Sequence, residues 1–308
     1  MPINMTPNTT LVAITGATGF IGSHLVKALL AKGFTVRILA RKPNKTSLKH
    51  HSLEVVTGNL HHNASLEILV QGAHYVIHCA GRVRGANQAQ FDHDNVQGTQ
   101  NVIDAASRST SLKGFIHLSS LAAREPNVSH YAKSKNTAEA LVKNINFTEW
   151  SIIRPPAVYG PNDKELRPLF DWMKKGILWI PGNPQQKFSL IHVYDLVELI
   201  VQEIFSNDHH HVLEPHDGQC YHWLLIAQLC SEFFNRKIRQ LTISPSILSA
   251  AASLNVLLSK GINYSPMLTP SKVNELIHDD WIASGIPSGH TWAAKIDLKK
   301  GLSTLYSS

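Results

Sequence analysis

An α/β fold with a doubly wound, mostly parallel sheet is predicted by three observations. Short apolar runs rich in β-branched residues recur through the first half of the chain, as buried strands do. Segments with helical periodicity stand between them. That alternation of strands with helices implies right-handed crossovers and a parallel sheet.

The elements follow in order. LVAIT (11–15) reads as a buried strand, and FIGSHLVKALLAKG (20–33) as a helix that stops at Gly33, a residue suited to a C-cap. TVRILA (35–40) and LEVVTG (53–58) are the second and third strands. ASLEILVQG (64–72) is a helix and HYVIHCA (74–80) the fourth strand. NQAQFDHDNVQGTQNVIDAASR (87–108) is predicted as one long helix, KGFIHLSS (113–120) as the fifth strand, HYAKSKNTAEALVKN (130–144) as a helix and EWSIIRP (149–155) as the sixth strand. After PPAVYGPND (155–163) the rhythm breaks. KFSLIHVYDLVELIVQEIF (187–205) is predicted as a strand entering a helix, and HHVLE (210–214) as one more core strand. Mixed helices with prolines between them follow.

Composition narrows the functional classes. The 308 residues are 43% hydrophobic and 17% charged, typical of a soluble globular protein with ample core. The net charge of +7 comes from scattered Lys and Arg, with no dense basic stripe, so no nucleic-acid partner is expected. That field suits a phosphorylated cofactor or an acidic substrate. Three cysteines without a CxxC pair point to a reducing compartment. With no signal-like N-terminus in MPINMTPNTT and no membrane span, a cytoplasmic protein is expected. SILSAAASLNVLLSK (246–260) is too short and too serine-interrupted to span a bilayer, and reads as a packing or partner-facing helix. His209, His210 and His211 lack metal-ligand spacing and read as a polar loop entering a strand, so no metal is predicted.

TGATGFIG (15–22) sits where the first strand meets the first helix. Gly16 permits a tight turn, Gly19 lets backbone amides approach a pyrophosphate, and Gly22 lets helix and strand pack closely. The helix N-terminus then faces the anion. A dinucleotide cofactor is therefore expected. The second strand ends in Ala40-Arg41-Lys42-Pro43 with no acidic residue to hold a free ribose hydroxyl. Arg41, helped by Arg37, Lys42 or Lys45, suits a 2′-phosphate, which predicts NADP with NAD as the lesser option. The predicted core is residues 9–160 plus about 188–214, and a smaller mixed substrate-binding lobe takes 161–187 and 215–308.

SHYAKSK (129–135) places Tyr131 and Lys135 four apart on one helix face. An ammonium near a phenol favours the phenolate and lowers its pKa, which suits proton transfer at an alcohol oxygen. Tyr131 is the only tyrosine here with Lys four residues on.

Together TGATGFIG, HCAG (78–81), DNVQGTQN (94–101), HLSS (117–120), YAKSK (131–135), RPPAVYGP (154–161) and IHVYDL (191–196) resemble the extended branch of the short-chain dehydrogenase/reductase superfamily, the NAD-dependent epimerase/dehydratase type, over most of the chain. The resemblance implies a Rossmann-type sheet with a C-terminal substrate lobe. It implies that Tyr131 is the acid/base, that Lys135 lowers its pKa and binds the nicotinamide ribose, and that Ser120 hydrogen-bonds the substrate oxygen. It places cofactor contacts at Gly16, Thr18, Gly19, Phe20, Ile21 and Gly22 of the turn and at Arg41. Further contacts are implied at Asn59 and Leu60, at Cys79, Ala80 and Gly81, at Asn95, and at Pro155, Pro156 and Val158. It also implies a homodimer through helices 87–108 and 130–144.

The departures steer the function. Asn59 stands where the family often has an adenine-contacting aspartate. Leu121-Ala122-Ala123 after Ser120 lacks the acidic pair of sugar-nucleotide dehydratases and the VYG triplet usual in epimerases. The sequence thus leans toward the alcohol/ketone reductases, nearer the dihydroflavonol-reductase and 3β-hydroxysteroid-dehydrogenase-like members. The expected function is an NADP(H)-dependent oxidoreductase interconverting an alcohol and a carbonyl on a small molecule. A nucleotide-sugar epimerase with tightly held cofactor and a non-catalytic cofactor-binding regulator are the alternatives. Segments near 121–127, 157–175 and 213–270 are expected to shape the substrate site. Trp172, Trp179 and Trp223 are candidate apolar walls, and Arg154 and Arg167 either anion contacts or structural pairs.

Overall fold

The apolar runs become strands covered on both faces. The structure, a computed structural model, describes residues 9–43, 48–262, 266, 268–287 and 290–306. β1 (Leu11–Thr15), α1 (Phe20–Ala31), β2 (Thr35–Ala40), β3 (Leu53–Thr57), α2 (Asn63–Val70) and β4 (Tyr75–His78) open the chain. α3 (Gln88–Phe91), a π-helical segment (Asp92–Gln97) and α4 (Gly98–Ala106) lead to β5 (Gly114–Leu118). A 3-10 turn (Leu121–Arg124) and α5 (His130–Lys143) lead to β6 (Glu149–Ile153). β7 (Ala157–Tyr159), α6 (Arg167–Lys174), β8 (Ile177–Pro181), β9 (Lys187–Phe188), β10 (Leu190–His192), α7 (Val193–Glu203) and β11 (His211–Leu213) follow. The last elements are β12 (Tyr221–His222), α8 (Trp223–Phe234), β13 (Arg239–Ile243), α9 (Pro245–Ile262), α10 (Pro270–Ile277), β14 (Asp280–Trp281) and α11 (Leu298–Tyr306).

Seven parallel strands form the central sheet in the order β11-β6-β5-β4-β1-β2-β3. The predicted doubly wound α/β fold is present, and the 210–214 run supplies its last strand. Successive side chains of a strand point to opposite faces. Val12 and Ile14 accordingly pack with α1 and α7 on one side, while Ala13 packs with α2 and α4 on the other. The chain winds outward from β1 through β2 to β3, then returns to place β4 on the other side of β1. That reversal opens a crevice at the carboxyl ends of β1 and β4, where such sheets receive ligands. A third core, around Tyr159, Phe170, Leu178, Ile226 and Leu302, belongs to the later elements.

Two predicted elements differ. The single helix over 87–108 is α3, a π-helical segment and α4, ending at Ala106. The wide turn surrounds Asn95, whose side chain is fixed by three hydrogen bonds to neighbouring segments. Hydrophobic spacing does not register one extra residue in a turn. The single strand expected after 187 is split into β9 and β10, which join two different small sheets. Ser189 between them donates its N–H to Trp281 O and accepts at Oγ from Ala283 N, turning that residue toward β14.

Candidate active site

α5 starts at Ser129, whose Oγ accepts from Ala132 N at 2.9 Å, a side-chain N-cap. One turn in, Tyr131 faces a cavity of about 450 Å³. Ser120 reaches the same cavity from the end of β5 and hydrogen-bonds the Tyr131 phenol. Lys135 lies one further turn along α5. It is buried, and its Nζ donates to Leu118 O at 2.7 Å. Ser120 and Tyr131 therefore share the cavity, with Lys135 buried one helical turn further along α5.

Its electrostatics differ from the expectation. The Tyr131 phenol is pushed up to about 12, not down. Burial is the main cause; the Ser120 hydrogen bond opposes it and the Glu275 carboxylate reinforces it. Lys135 does not act on the phenol here, because its ammonium is turned to the Leu118 carbonyl and toward Glu139. Burial lowers Lys135 itself to about 8, with Glu139 and Cys79 opposing.

Behind the site runs a buried ionic chain that sequence reading missed. Glu139 takes Arg154 through both oxygens, at 2.8 and 2.7 Å, and accepts from Ser119 Oγ at 2.6 Å. Arg154 also donates to Glu214 at 3.1 Å, and Glu214 holds Ser284. Arg154 is thus a structural pair, one of the two roles considered for it. The adjacent serines diverge: Ser119 points back to Glu139, Ser120 forward to Tyr131. One signal was present in sequence, since Glu139 stands four residues after Lys135 on the same helix.

The glycine turn has the shape of an anion cradle. Gly16 has φ +74°, and a Cβ there would lie 2.5 Å from Ala80 N. A Cβ on Gly22 would strike the Gly16 carbonyl. Gly19 is the N-cap of α1 with no side chain spent on capping, and no acid sits in the first turn. Thr18 is exposed at the mouth, with Phe20 and Ile21 half-buried beside it. Cys79, Ala80 and Gly81 form the opposite lip, and Ala80 N donates to Thr15 Oγ1 at 3.3 Å. Burial pushes the Cys79 thiol up to about 12, leaving it without nucleophilic character. These residues fit a bound dinucleotide: the N-terminus of α1 has no side-chain cap and no acid in its first turn to oppose an anion.

The other predicted contacts are less uniform. Asn59 is exposed, and its Oδ1 accepts from His61 N at 2.8 Å in a local turn. Leu60 lies against Gly98, where a Cβ would be 2.8 Å from its Cδ1. Asn95 is 2% exposed and fully committed to Arg82 N, Arg82 O and Ser134 Oγ. Pro155, Pro156 and Val158 line the cavity. Arg41 and Lys42 are exposed at the end of β2, and Arg41 forms no ion pair among the described residues. Arg37 does not join them. Its guanidinium is held by Glu54 at 2.5 Å and by the carbonyls of Ile68, Leu69 and Gln71 at the end of α2. Lys45 lies outside the described residues.

The cavity walls are mainly apolar, including Leu121, Leu166, Phe170, Phe188, Trp223 and Trp281. Both cations on its lining are paired: Arg84 with Glu165 at 2.6 Å, and Lys272 with Glu275. Of the three candidate tryptophans only Trp223 lines it, anchored by Nε1 donating to Gln186 Oε1 at 2.9 Å; Trp172 and Trp179 are exposed. Arg167 pairs with Asp171 and stacks on Tyr306 away from the cavity. The expected wall segments at 121–127, 157–175 and 213–270 supply part of the lining. α10 and β14 supply Leu276 and Trp281 from beyond them. His210 and His211 pair with Glu149 and Glu203. A separate surface group, His61, His93 and Asp94, brings its ligand atoms within 4.8 Å of one another, with Asp94 also held by Arg82.

Comparison with known proteins completes the picture. Residues 12–212 match the model of the NAD dependent epimerase/dehydratase family. The chain is 34% identical over 295 residues to a ceramide reductase of Caulobacter vibrioides, covering 94% of this chain and 92% of that protein. It is 29% identical over 208 residues to a 4-hydroxy-2-methyl-3-oxo-4-farnesyl-3,4-dihydroquinoline-1-oxide ketoreductase of Stigmatella aurantiaca, covering 60% and 61% of the two. In fold it is similar to a UDP-glucuronic acid 4-epimerase from Bacillus cereus in complex with UDP-glucuronic acid and NAD, with TM-score 0.72, 20% identity, and 97% and 98% of the two chains covered.

Proposed function

Because this chain belongs to the NAD dependent epimerase/dehydratase family, we propose that it is a nicotinamide-dependent reductase of a hydrophobic ketone, using NADP(H) in preference to NAD(H). The observation that carries the reading is the cavity at Tyr131: apolar walls, with Arg84 and Lys272 both neutralised by their own carboxylates. A nucleotide-sugar diphosphate needs unpaired cations or open amides at its site. A long-chain ketone needs only apolar surface and one polar end. The named reductases above, acting on a ceramide and a farnesyl quinoline, agree with that chemistry.

The roles follow from the geometry. When bound, the nicotinamide supplies the hydride. Tyr131, held protonated with its pKa raised to about 12, donates its phenolic proton to the carbonyl oxygen, as the reductive direction requires. Ser120 hydrogen-bonds that oxygen and fixes its position between the two hydroxyls. Lys135 keeps a positive charge under the site and is the residue placed to meet the cofactor ribose. The lobe formed by 161–187 and 215–308 encloses the substrate, and Arg41 and Lys42 meet the 2′-phosphate. A phenol that keeps its proton suits the reductive direction, and the preference over an epimerase rests on the paired cations of the cavity.

The test is consumption of NADPH with long-chain ketones, steroid ketones and UDP-sugars. Stoichiometric NADPH oxidation with an apolar ketone is expected, with Tyr131→Phe lowering kcat by about 10²–10⁴ while cofactor binding persists. Interconversion of a UDP-sugar without net cofactor consumption would replace this reading with the epimerase one.

A further inference from the structure

α9 faces the wrong way for a helix that belongs only to a protein core. Ile247, Leu254, Leu257 and Leu258 are 63%, 56%, 66% and 50% exposed. Ala250 and Ala251 are exposed between them. The positions 247, 250, 251, 254, 257 and 258 follow the spacing of one continuous helix face. On the side turned to the protein Ala252 and Ser259 are buried, Leu248 and Val256 are half-buried, and Asn255 donates to Leu268 O at 2.8 Å. Over 245–262 the only charged residue is Lys260.

We propose that α9 docks the protein on a lipid bilayer surface, with its apolar stripe sunk among the acyl chains. This rests on the reading of the substrate as a hydrophobic ketone. Eighteen residues give a rod of about 27 Å lying in the plane, and the face carries bulky aliphatics with Ser246, Ser249 and Ser253 beside it. Such helices bind by buried apolar area, with attraction to anionic lipids added to it. Pairing with a second copy of α9 would leave the stripe without the flanking charges that set register in helix pairs. The helix lies one element away from the cavity. α9 packs on α10, and α10 supplies Lys272, Glu275 and Leu276 to the cavity lining. An apolar substrate resides in the bilayer, so this contact brings the cavity wall to its source. The net charge of +7 adds attraction to anionic headgroups.

The experiment is sedimentation of the full chain with vesicles of phosphatidylcholine, alone or with phosphatidylserine. It is paired with light scattering of the free protein and NADPH binding. The wild type is expected to sediment with vesicles and to be unaffected in size by changes to α9. The variant L254E/L257E/L258E should lose at least about tenfold in vesicle partition, while NADPH binding and reduction of a water-soluble ketone are unchanged. If the carboxylates unfold the helix, L254S/L257S reads the same loss in graded form. Three outcomes overturn the proposal: no vesicle binding by the wild type, equal binding by the variants, or a wild-type dimer that the variants split. The last assigns the stripe to a second copy. Vesicle binding without ketone turnover would defeat the functional reading and leave the docking surface standing.

Discussion

Lys135 combines deep burial with a charge that only one carbonyl and one distant carboxylate support. Its ammonium is held by Leu118 O at 2.7 Å, while burial brings it to about 8. Below that value it is charged; above it the ammonium is lost, and with it the cation we propose meets the cofactor ribose. The phenol, at about 12, keeps its proton throughout that range. The rate of ketone reduction at subsaturating substrate is therefore expected to hold at lower pH and to fall as pH rises past about 8. In Lys135→Arg, whose guanidinium stays charged, the alkaline fall should disappear from that region even if the absolute rate drops. A wild-type pH profile flat through pH ~10 would remove Lys135 as the titrating group. At this scale the sequence was legible in part: the spacing of Tyr131 and Lys135 placed them on one helix, and the resemblance pointed to Ser120, which lines the same cavity as Tyr131. The direction of the phenol shift was not legible, because burial depends on residues as remote as Glu275.

A different titration governs how the elements hold together. Glu203, near the end of α7, is buried and accepts His211 of β11 at 2.8 Å and His290 at 3.0 Å. The Glu203 hydrogen bond is the largest cause raising His211. Glu203 itself is lowered: its burial acts the other way, but the hydrogen bonds from His211, His290 and Ser151 prevail. A histidine raised in the folded state stabilises fully below its unfolded pKa and loses that contribution as pH rises through the folded one. A lowered carboxylate stabilises above its unfolded pKa and loses that contribution as pH falls. Resistance to urea should thus peak between the two and decline as pH rises above the ordinary histidine range. His211→Ala should abolish the alkaline decline and cost about 1–2 kcal/mol near neutrality. An unfolding midpoint with the same alkaline dependence in both proteins would refute the link. The alternating pattern revealed the strands and most helices, β11 included. It could not reveal the π-helical turn at Asn95 or the break at Ser189, since each depends on a partner from a distant segment.

The whole molecule divides its charge unevenly in function. Arg37 looked interchangeable with Arg41 in sequence, yet it serves to staple β2 to the end of α2. Arg41 and Lys42 alone among the described residues of that stretch remain free for a 2′-phosphate. Arg41→Ala is expected to weaken NADPH binding by about tenfold, the scale of one charge-assisted contact, with NADH affinity nearly unchanged. Titration calorimetry with both cofactors decides it; equal losses for the two would place Arg41 elsewhere. The lobe was the least legible part, because its cavity draws Leu276 and Trp281 from a stretch without periodic signal of its own.

That distant wall has a consequence for how such a chain diversifies. The glycine turn and the far wall of the cavity are written far apart in the chain. Substitutions at Leu276 or Trp281 can re-tailor the choice of guest while the glycine bend stays untouched. Descent with altered specificity is therefore open to this architecture through its last third alone.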